Sequence, residues 1–242
     1  MIGVVVVSHS SALAHAAVEL ALQMVQGERP AIAIAAGAGE GLIGTDAMAV
    51  SAAIDEVASP DGVLVIMDLG SAVMSAEMAL DFRSSDAEVR LSSAPFVEGL
   101  LAAIVMAAGG ASLDDVDREA RAALTPKISM LDVPASAPAV APVSAPADMP
   151  AGVSADLTII NPDGLHARPA AAVVSSLAGF EAKVTVVNTR TASAPVSAHS
   201  LIGLLSLGAK VGDVLTVTAS GAQAAEALAK VTGLATGGFG EL

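Results

Sequence analysis

Four histidines occur in 242 residues, and two stand where an imidazole can act as a nucleophile. His166 lies in NPDGLHARPA, after an Asx-Gly turn and before an Arg-Pro pair. Pro169 lacks a backbone donor and fits the first turn of a helix, which puts His166 at or beside the N-cap. The free N–H groups of Ala167 and Arg168 then point at whatever sits on the ring, and with the helix dipole they make an anion site. Arg168 can add a fork of charge-assisted hydrogen bonds. Such a site suits a histidine that takes a phosphoryl group and holds it. The same spacing also fits an ordinary capping histidine beside a surface arginine.

His9 lies in VVVVSHSS, directly after an apolar run. Sites in open parallel sheets form at the carboxyl ends of strands. Three further segments, GLIGTD (41–46), DLGSA (68–72) and SAPFVEG (93–99), are expected at that edge. Asp68 could bond one nitrogen of His9, fix its tautomer and leave the other nitrogen nucleophilic. Glycines 41, 44 and 70 would let backbone N–H groups approach a phosphate. Ordinary strand-to-helix turns would use the same residue types. His15, six residues past His9, should point elsewhere. Met67, Met74 and Met78 read as core filling.

The elements that must position these histidines are legible in the apolar pattern. Strands are expected at 2–7, 31–36, 63–68 and 88–93. Helices are expected at 12–25, 71–82, 96–108 and 113–124, with another capped by Thr45 and running through Val57. Strand and helix alternate, and the strands are continuous apolar runs, so the first part should be an α/β fold with a doubly wound, mainly parallel sheet. Strands are next expected at 156–160, 183–187, 189–194 and 214–219, with helices at 166–177, 197–206 and 222–234. That order, βαββαβα, predicts an α+β open-faced sandwich. Between them, proline recurs at 134, 138, 142, 146 and 150. Such density blocks helix and ladder, so an extended Ala/Pro tether reaching roughly 60 Å is expected. The expected division is 1–130, a linker at 131–154, and 155–242.

Composition narrows the function classes. The net charge is −14, against a nucleic-acid or anionic-membrane partner. Residues 1–132 hold 6 Lys/Arg and 18 Asp/Glu, while residues 156–242 hold 5 and 6, which again separates two parts. There is no Trp or Tyr and there are four Phe, too few for stacking on bases. The absence of cysteine excludes disulfides and thiolate metal sites, and no other metal cluster is evident. The short apolar N-terminus has no basic flank, so a cytoplasmic protein is expected.

GLHARPAA, with SLIGLLSLGAKVGD further on, resembles the histidine-containing phosphocarrier (HPr) of the bacterial phosphotransferase system across 156–242. The resemblance implies a phosphohistidine at His166 on Nδ1 (pros), supported by Arg168 and Ala167. It also places Ser200 where some family members carry a regulatory phosphorylation; here His199 precedes it, where Lys is frequent. Ser200 reads more simply as the near-cap of a short helix whose Leu201, Ile202 and Leu204 form an apolar docking patch.

VVSHSS, GLIGTDA, VLVIMDLGSAVMSAE and APFVEG resemble the phosphotransfer subunit of phosphoenolpyruvate-dependent dihydroxyacetone kinase, a mannose-type IIA domain, over roughly 1–130. This implies phosphorylation of His9 on Nε2 (tele), with Asp68 orienting it and Thr45, Asp46, Gly70 and Ser71 lining the pocket. It further implies no cofactor on this chain. Phosphoenolpyruvate would supply the phosphoryl group through a separate Enzyme I, with free HPr as a possible donor. The acceptor would be a nucleotide-binding kinase subunit carrying Mg and ADP/ATP, serving a dihydroxyacetone-binding subunit. A homodimer is implied as well. Two rivals are a mannose-type carrier feeding a sugar permease and a regulatory module reporting phosphorylation state.

Overall fold

The computed structural model describes residues 1–25, 27–39, 41–131 and 152–241. The expected Ala/Pro tether lies almost wholly outside the described residues. The chain divides into two compact units, Met1–Leu124 and Thr125–Leu242.

The first unit is a parallel four-stranded sheet. Its strands are β1 (Gly3–Ser8), β2 (Ile32–Ala36), β3 (Val63–Met67) and β4 (Val89–Ser92), in the order β2-β1-β3-β4. Every residue of β1 and β3 is buried, as continuous apolar runs require when both faces are covered. One face, with Val5, Val7, Val63, Val65 and Met67, packs on α2 (Ala47–Glu56) and α3 (Gly70–Phe82). Three buried alanines, Ala72, Ala76 and Ala79, let α3 lie close to the sheet. The other face is covered by α1 (Ser11–Leu22) and α4 (Phe96–Ala108), with α5 (Leu113–Ala122) beside α4. The chain leaves β1 for β2 on one side and later places β3 on the other. The carboxyl ends of β1 and β3 therefore form a topological switch point, where open α/β sheets bind ligands.

Two expectations fail here. Thr45 does not cap α2. Asp46 does, its carboxylate accepting from the amides of Met48 (2.8 Å) and Ala49 (3.4 Å), a stronger acceptor than a hydroxyl. Met74 and Met78 are not core residues either. They are 68% and 54% exposed, while Met67 is buried, because α3 turns its alanine stripe to the sheet.

The second unit holds an antiparallel sheet in the order β5-β8-β6-β7. Its strands are β5 (Val153–Thr158), β6 (Ala182–Asn188), β7 (Val196–Ser197) and β8 (Val214–Gly221). Burial alternates along β6 and β8, as in a sheet with one covered face. The helices of this unit are α6 (Thr125–Met130), α7 (Ala167–Ser176), α8 (Leu201–Ser206) and α9 (Ala224–Thr236). Helix α6 was not legible in the sequence. No strand forms over 189–194, where Thr189–Ala192 turn and Ala192 takes a left-handed φ of 47°. The strand that pairs with β6 on this side is the two residues of β7, Val196 and Ser197. Leu201, Ile202 and Leu204 are buried, so they are not an exposed docking patch.

Asp213 pins the turn before β8. Arg190 Nε (2.6 Å), the Lys210 amide (2.9 Å) and Asn188 Nδ2 (3.0 Å) all donate to it. The Arg190 guanidinium and these donors hold its carboxyl well below the usual range. A depressed folded pKa contributes stability that is present above the unfolded value of about 3.9 and lost as pH falls below it. Thermal melts of Asp213→Ala at neutral pH are therefore expected below wild type by about 5 °C or more. The gap should narrow as both are acidified below about pH 4.

Candidate functional site

Register brings the first histidine to its partner. Val7 lies opposite Met67 in the β1–β3 ladder, so the residues leaving the two strands emerge side by side, and the Asp68 amide donates to Val7 O (3.2 Å). Asp68 is then surrounded by donors. Its Oδ1 faces His9 Nδ1 (2.9 Å) and accepts from the Leu69 amide (2.7 Å). Its Oδ2 accepts from the His9 amide (2.8 Å) and from the hydroxyl of buried Ser8 (2.9 Å). Burial alone would raise this carboxyl, but the bonds from His9, Ser8 and Leu69 outweigh it and hold Asp68 below its ordinary value. An ionised carboxylate only accepts, so neutral His9 carries its proton on Nδ1 and its lone pair on Nε2.

Nε2 sits 2.6 Å from Ser71 Oγ, which with this tautomer donates to it. His9 is 18% exposed and Asp68 8%, so the ring is held from behind and open at Nε2. Helix α3 begins here without a side-chain cap, its N-cap being Leu69. The amides of Gly70 and Ser71 meet no acceptor among the described residues, leaving two orphan donors at a helix N-terminus. A Cβ at Gly70 would meet nothing within 4 Å, so the space beside Gly70 is open.

The loop from β2 closes the other side. The Gly44 amide donates to His9 O (3.1 Å). Gly44 has φ 151° and a Cβ there would lie 2.7 Å from Ala38 Cβ, so glycine is required for the loop to fold back. Thr45 Oγ1 bonds Ser75 Oγ on α3 (2.8 Å), which ties the loop to the helix that carries Ser71. Asp46 belongs to the same loop but spends its carboxylate on the α2 amides. Of the expected segments, 93–99 leads from β4 into α4, with Pro95 at the N-cap of α4, and just before it Ser92 donates to Asp117 on α5 (2.6 Å). His15 bonds the Ser11 carbonyl one turn back (2.8 Å), away from Asp68. Ser8 was missed from the sequence, though it is adjacent to His9. Its signal is a buried hydroxyl at the end of an apolar strand.

In the second unit His166 is the N-cap of α7, in extended conformation and with no side-chain cap bond. The turn before it needs Gly164, which has φ 72° and whose Cβ would fall 2.3 Å from Ala209 O. The amides of Ala167 and Arg168 meet no acceptor among the described residues. The Arg168 side chain is exposed, also without a partner among them. His166 Nε2 lies 3.0 Å from Glu241 Oε2, a contact that residue spacing could not foretell across 75 positions. Ser200 caps α8, its Oγ accepting from the Gly203 amide (2.8 Å), and His199 Nε2 bonds Ala182 O (3.1 Å).

No group of three or more potential metal ligands occurs among the described residues. No helix among them is long and apolar enough to cross a membrane.

Comparison with known proteins places both units. Residues 3–117 match the family model of the fructose IIA component of the phosphotransferase system (EIIA-man), and residues 153–236 match that of the HPr phosphorylation site. The phosphoryl donor subunit DhaM of the PEP-dependent dihydroxyacetone kinase of Escherichia coli (strain K12) is 44% identical over 178 residues, which are 72% of this chain and 38% of that protein. The corresponding subunit of Klebsiella michiganensis is 42% identical over 180 residues, again 38% of its length. The chain thus spans about two fifths of these relatives. Subunit DhaM of dihydroxyacetone kinase 2 from Listeria innocua is 33% identical over 107 residues, covering 85% of that protein and 43% of this chain. With the His9–Asp68 pair in the first unit and His166 capping a helix in the second, the chain belongs to the family of phosphoryl donor subunits of PEP-dependent dihydroxyacetone kinases.

Proposed function

We propose that this chain is a two-histidine phosphoryl relay feeding a dihydroxyacetone kinase. Enzyme I, charged by phosphoenolpyruvate, phosphorylates His166 on Nδ1. The group passes to His9 on Nε2, directly or by way of free HPr, and from there to ADP held with Mg on the nucleotide-binding kinase subunit. The ATP formed phosphorylates dihydroxyacetone on a further subunit. The relay works in the cytoplasm, as a homodimer through the first unit, with residues 1–130 and 155–242 as its two carriers joined by the tether.

What carries the reading is the bond of His9 Nδ1 to Asp68, with Nε2 open beneath the orphan amides of α3. In the transfer step the Nε2 lone pair attacks phosphorus as the donor's N–P bond breaks, and the donor nitrogen takes back its electron pair. The proton on Nδ1 stays in place. The phosphorylated ring then bears both N–P and N–H and is cationic, and the ionised Asp68 offsets that charge. Ser71 turns its hydroxyl from Nε2 to a phosphoryl oxygen, and the Gly70 and Ser71 amides donate to the other phosphoryl oxygens and offset their charge. Thr45 holds the facing loop. At His166 the Ala167 and Arg168 amides and the Arg168 guanidinium serve the same purpose. Catalysis here is positioning and charge neutralisation, as in other phosphoryl transfers. The tether raises the concentration of one histidine around the other.

Labelled phosphoenolpyruvate and Enzyme I should place acid-labile phosphate on both histidines of the wild type. His166→Ala should lose direct loading by roughly 10³-fold or more, and added free HPr should restore labelling of His9. Labelling of His166→Ala at the wild-type rate without HPr would contradict this order of transfer.

A further inference from the structure

We propose that Glu241 is the positioning carboxylate of His166, fixing the proton on Nε2 so that Nδ1 carries the lone pair. This rests on the reading of His166 as a phosphoryl carrier. Glu241 Oε2 lies 3.0 Å from His166 Nε2 and also accepts from Asn161 Nδ2 at 3.3 Å. Asn161 is fully buried and its amide nitrogen also donates to the Gly164 carbonyl, so the group steering Glu241 is itself fixed by the turn that delivers His166. Glu241 is 16% exposed against 39% for the ring. The carboxylate is the inner, restrained partner.

The chain beyond α9 holds it there. After Thr236 come Gly237 and a single 3-10 turn, Gly238–Gly240, with φ of 57° at Gly238 and 80° at Gly240. Phe239 between them has φ 56°, a left-handed conformation unfavourable for a residue with a Cβ. Its ring is buried and closes an apolar pocket lined by Leu157, Leu165, Val173 and Val231. The buried ring offsets the backbone cost and anchors the strap, and the Glu241 amide donates to Gly238 O (3.0 Å). Glu241 is thereby carried to the histidine.

The two carboxylates act on opposite nitrogens. Asp68 occupies Nδ1 of His9 and leaves Nε2 free, whereas Glu241 occupies Nε2 of His166 and leaves Nδ1 free. When the phosphoryl group arrives at His166, an N–P bond forms at Nδ1 as the donor's breaks. The Nε2 proton does not move, and Glu241 offsets the charge of the ring.

The test uses the full chain, nitrogen-15 labelled at histidine. In the wild type the His166 Nε2–H proton should be visible and protected from exchange with water. Glu241→Ala should abolish that protection and lower kcat for phosphoryl acceptance from Enzyme I roughly tenfold, with KM for Enzyme I unchanged. Glu241→Gln keeps an oxygen acceptor and should restore the protected proton and part of the rate. Unchanged protection and unchanged kcat in Glu241→Ala would overturn the proposal, as would equal losses in the Ala and Gln variants. Should Enzyme I fail to charge even the wild type, the relay reading falls, while the proton spectra still decide whether Glu241 holds the ring.

Discussion

His9→Ala is expected to leave His166 fully chargeable and to abolish delivery of phosphate to the kinase acceptor, by at least about 10³-fold. The substitution removes the open nucleophile and little else. The imidazole is partly exposed at its working edge, and the backbone bonds that set the strand end, His9 amide to Asp68 and Gly44 amide to His9 O, survive the loss of the side chain. No other group can stand in. His15 is turned back onto the Ser11 carbonyl, and the Ser71 hydroxyl has no base beside it once the ring is gone. In a chase from labelled phosphoenolpyruvate, label should accumulate on His166 and stop there. Full kinase activity in His9→Ala would remove the first unit from the relay.

Asp68→Asn should be nearly as damaging despite being isosteric, with an expected loss of about 10²- to 10⁴-fold in transfer through His9. Four donors converge on the carboxylate, two at each oxygen. Asparagine offers one oxygen and one NH2 group, so two of the four donors must face another donor. If the NH2 turns to His9 Nδ1, the ring must present a lone pair there and carry its proton on Nε2, which blocks the attacking nitrogen. If it turns the other way, the His9 amide loses its acceptor and the buried Ser8 hydroxyl is left with the Ser10 carbonyl alone (3.1 Å), and the charge that balances a phosphorylated ring is absent in either case. The asparagine variant should therefore show reduced kcat together with a changed ring-nitrogen spectrum at His9, while loading of His166 continues normally. The wild-type carboxyl is held below the usual range by these same bonds, so protonation of Asp68 should not limit transfer anywhere near neutral pH.

Much of this site was legible because the apolar code of a parallel sheet is strong. IGVVVV and VLVIMD read as strands covered on both faces, and their carboxyl ends carried His9 and Asp68. Once the strands were neighbours in register, the histidine–carboxylate pair followed from geometry. The N-cap position of His166 was equally legible, because Pro169 fixes where α7 begins. What stayed hidden depended on choices among chemically similar neighbours. Thr45 and Asp46 both suit an N-cap, and the carboxylate took the position, freeing Thr45 for Ser75. Ala72, Ala76 and Ala79 recur at helical spacing along α3, as do Met74 and Met78, and the smaller residues went to the sheet, leaving the two methionines outside. TRTASA has the β-branched residues of a strand, but Arg190 is drawn to Asp213 and the segment turns. Leu201, Ile202 and Leu204 serve the interior of their own unit. Glu241 gave no local signal, because a contact between the last turn of the chain and the first turn of α7 is a product of tertiary closure alone.

On the proposed relay, phosphate on His9 is destined for nucleotide on a kinase subunit. The direct measurement is discharge. The full chain is labelled through Enzyme I and phosphoenolpyruvate, freed of both, and mixed either with the ADP-loaded nucleotide-binding subunit of a dihydroxyacetone kinase or with a sugar-permease component of the phosphotransferase system. The relay predicts rapid loss of label from His9 and its appearance in ATP with the kinase subunit, with no such loss to the permease component. Label that stays on His9 before the kinase subunit and leaves it for the permease component would contradict the assignment.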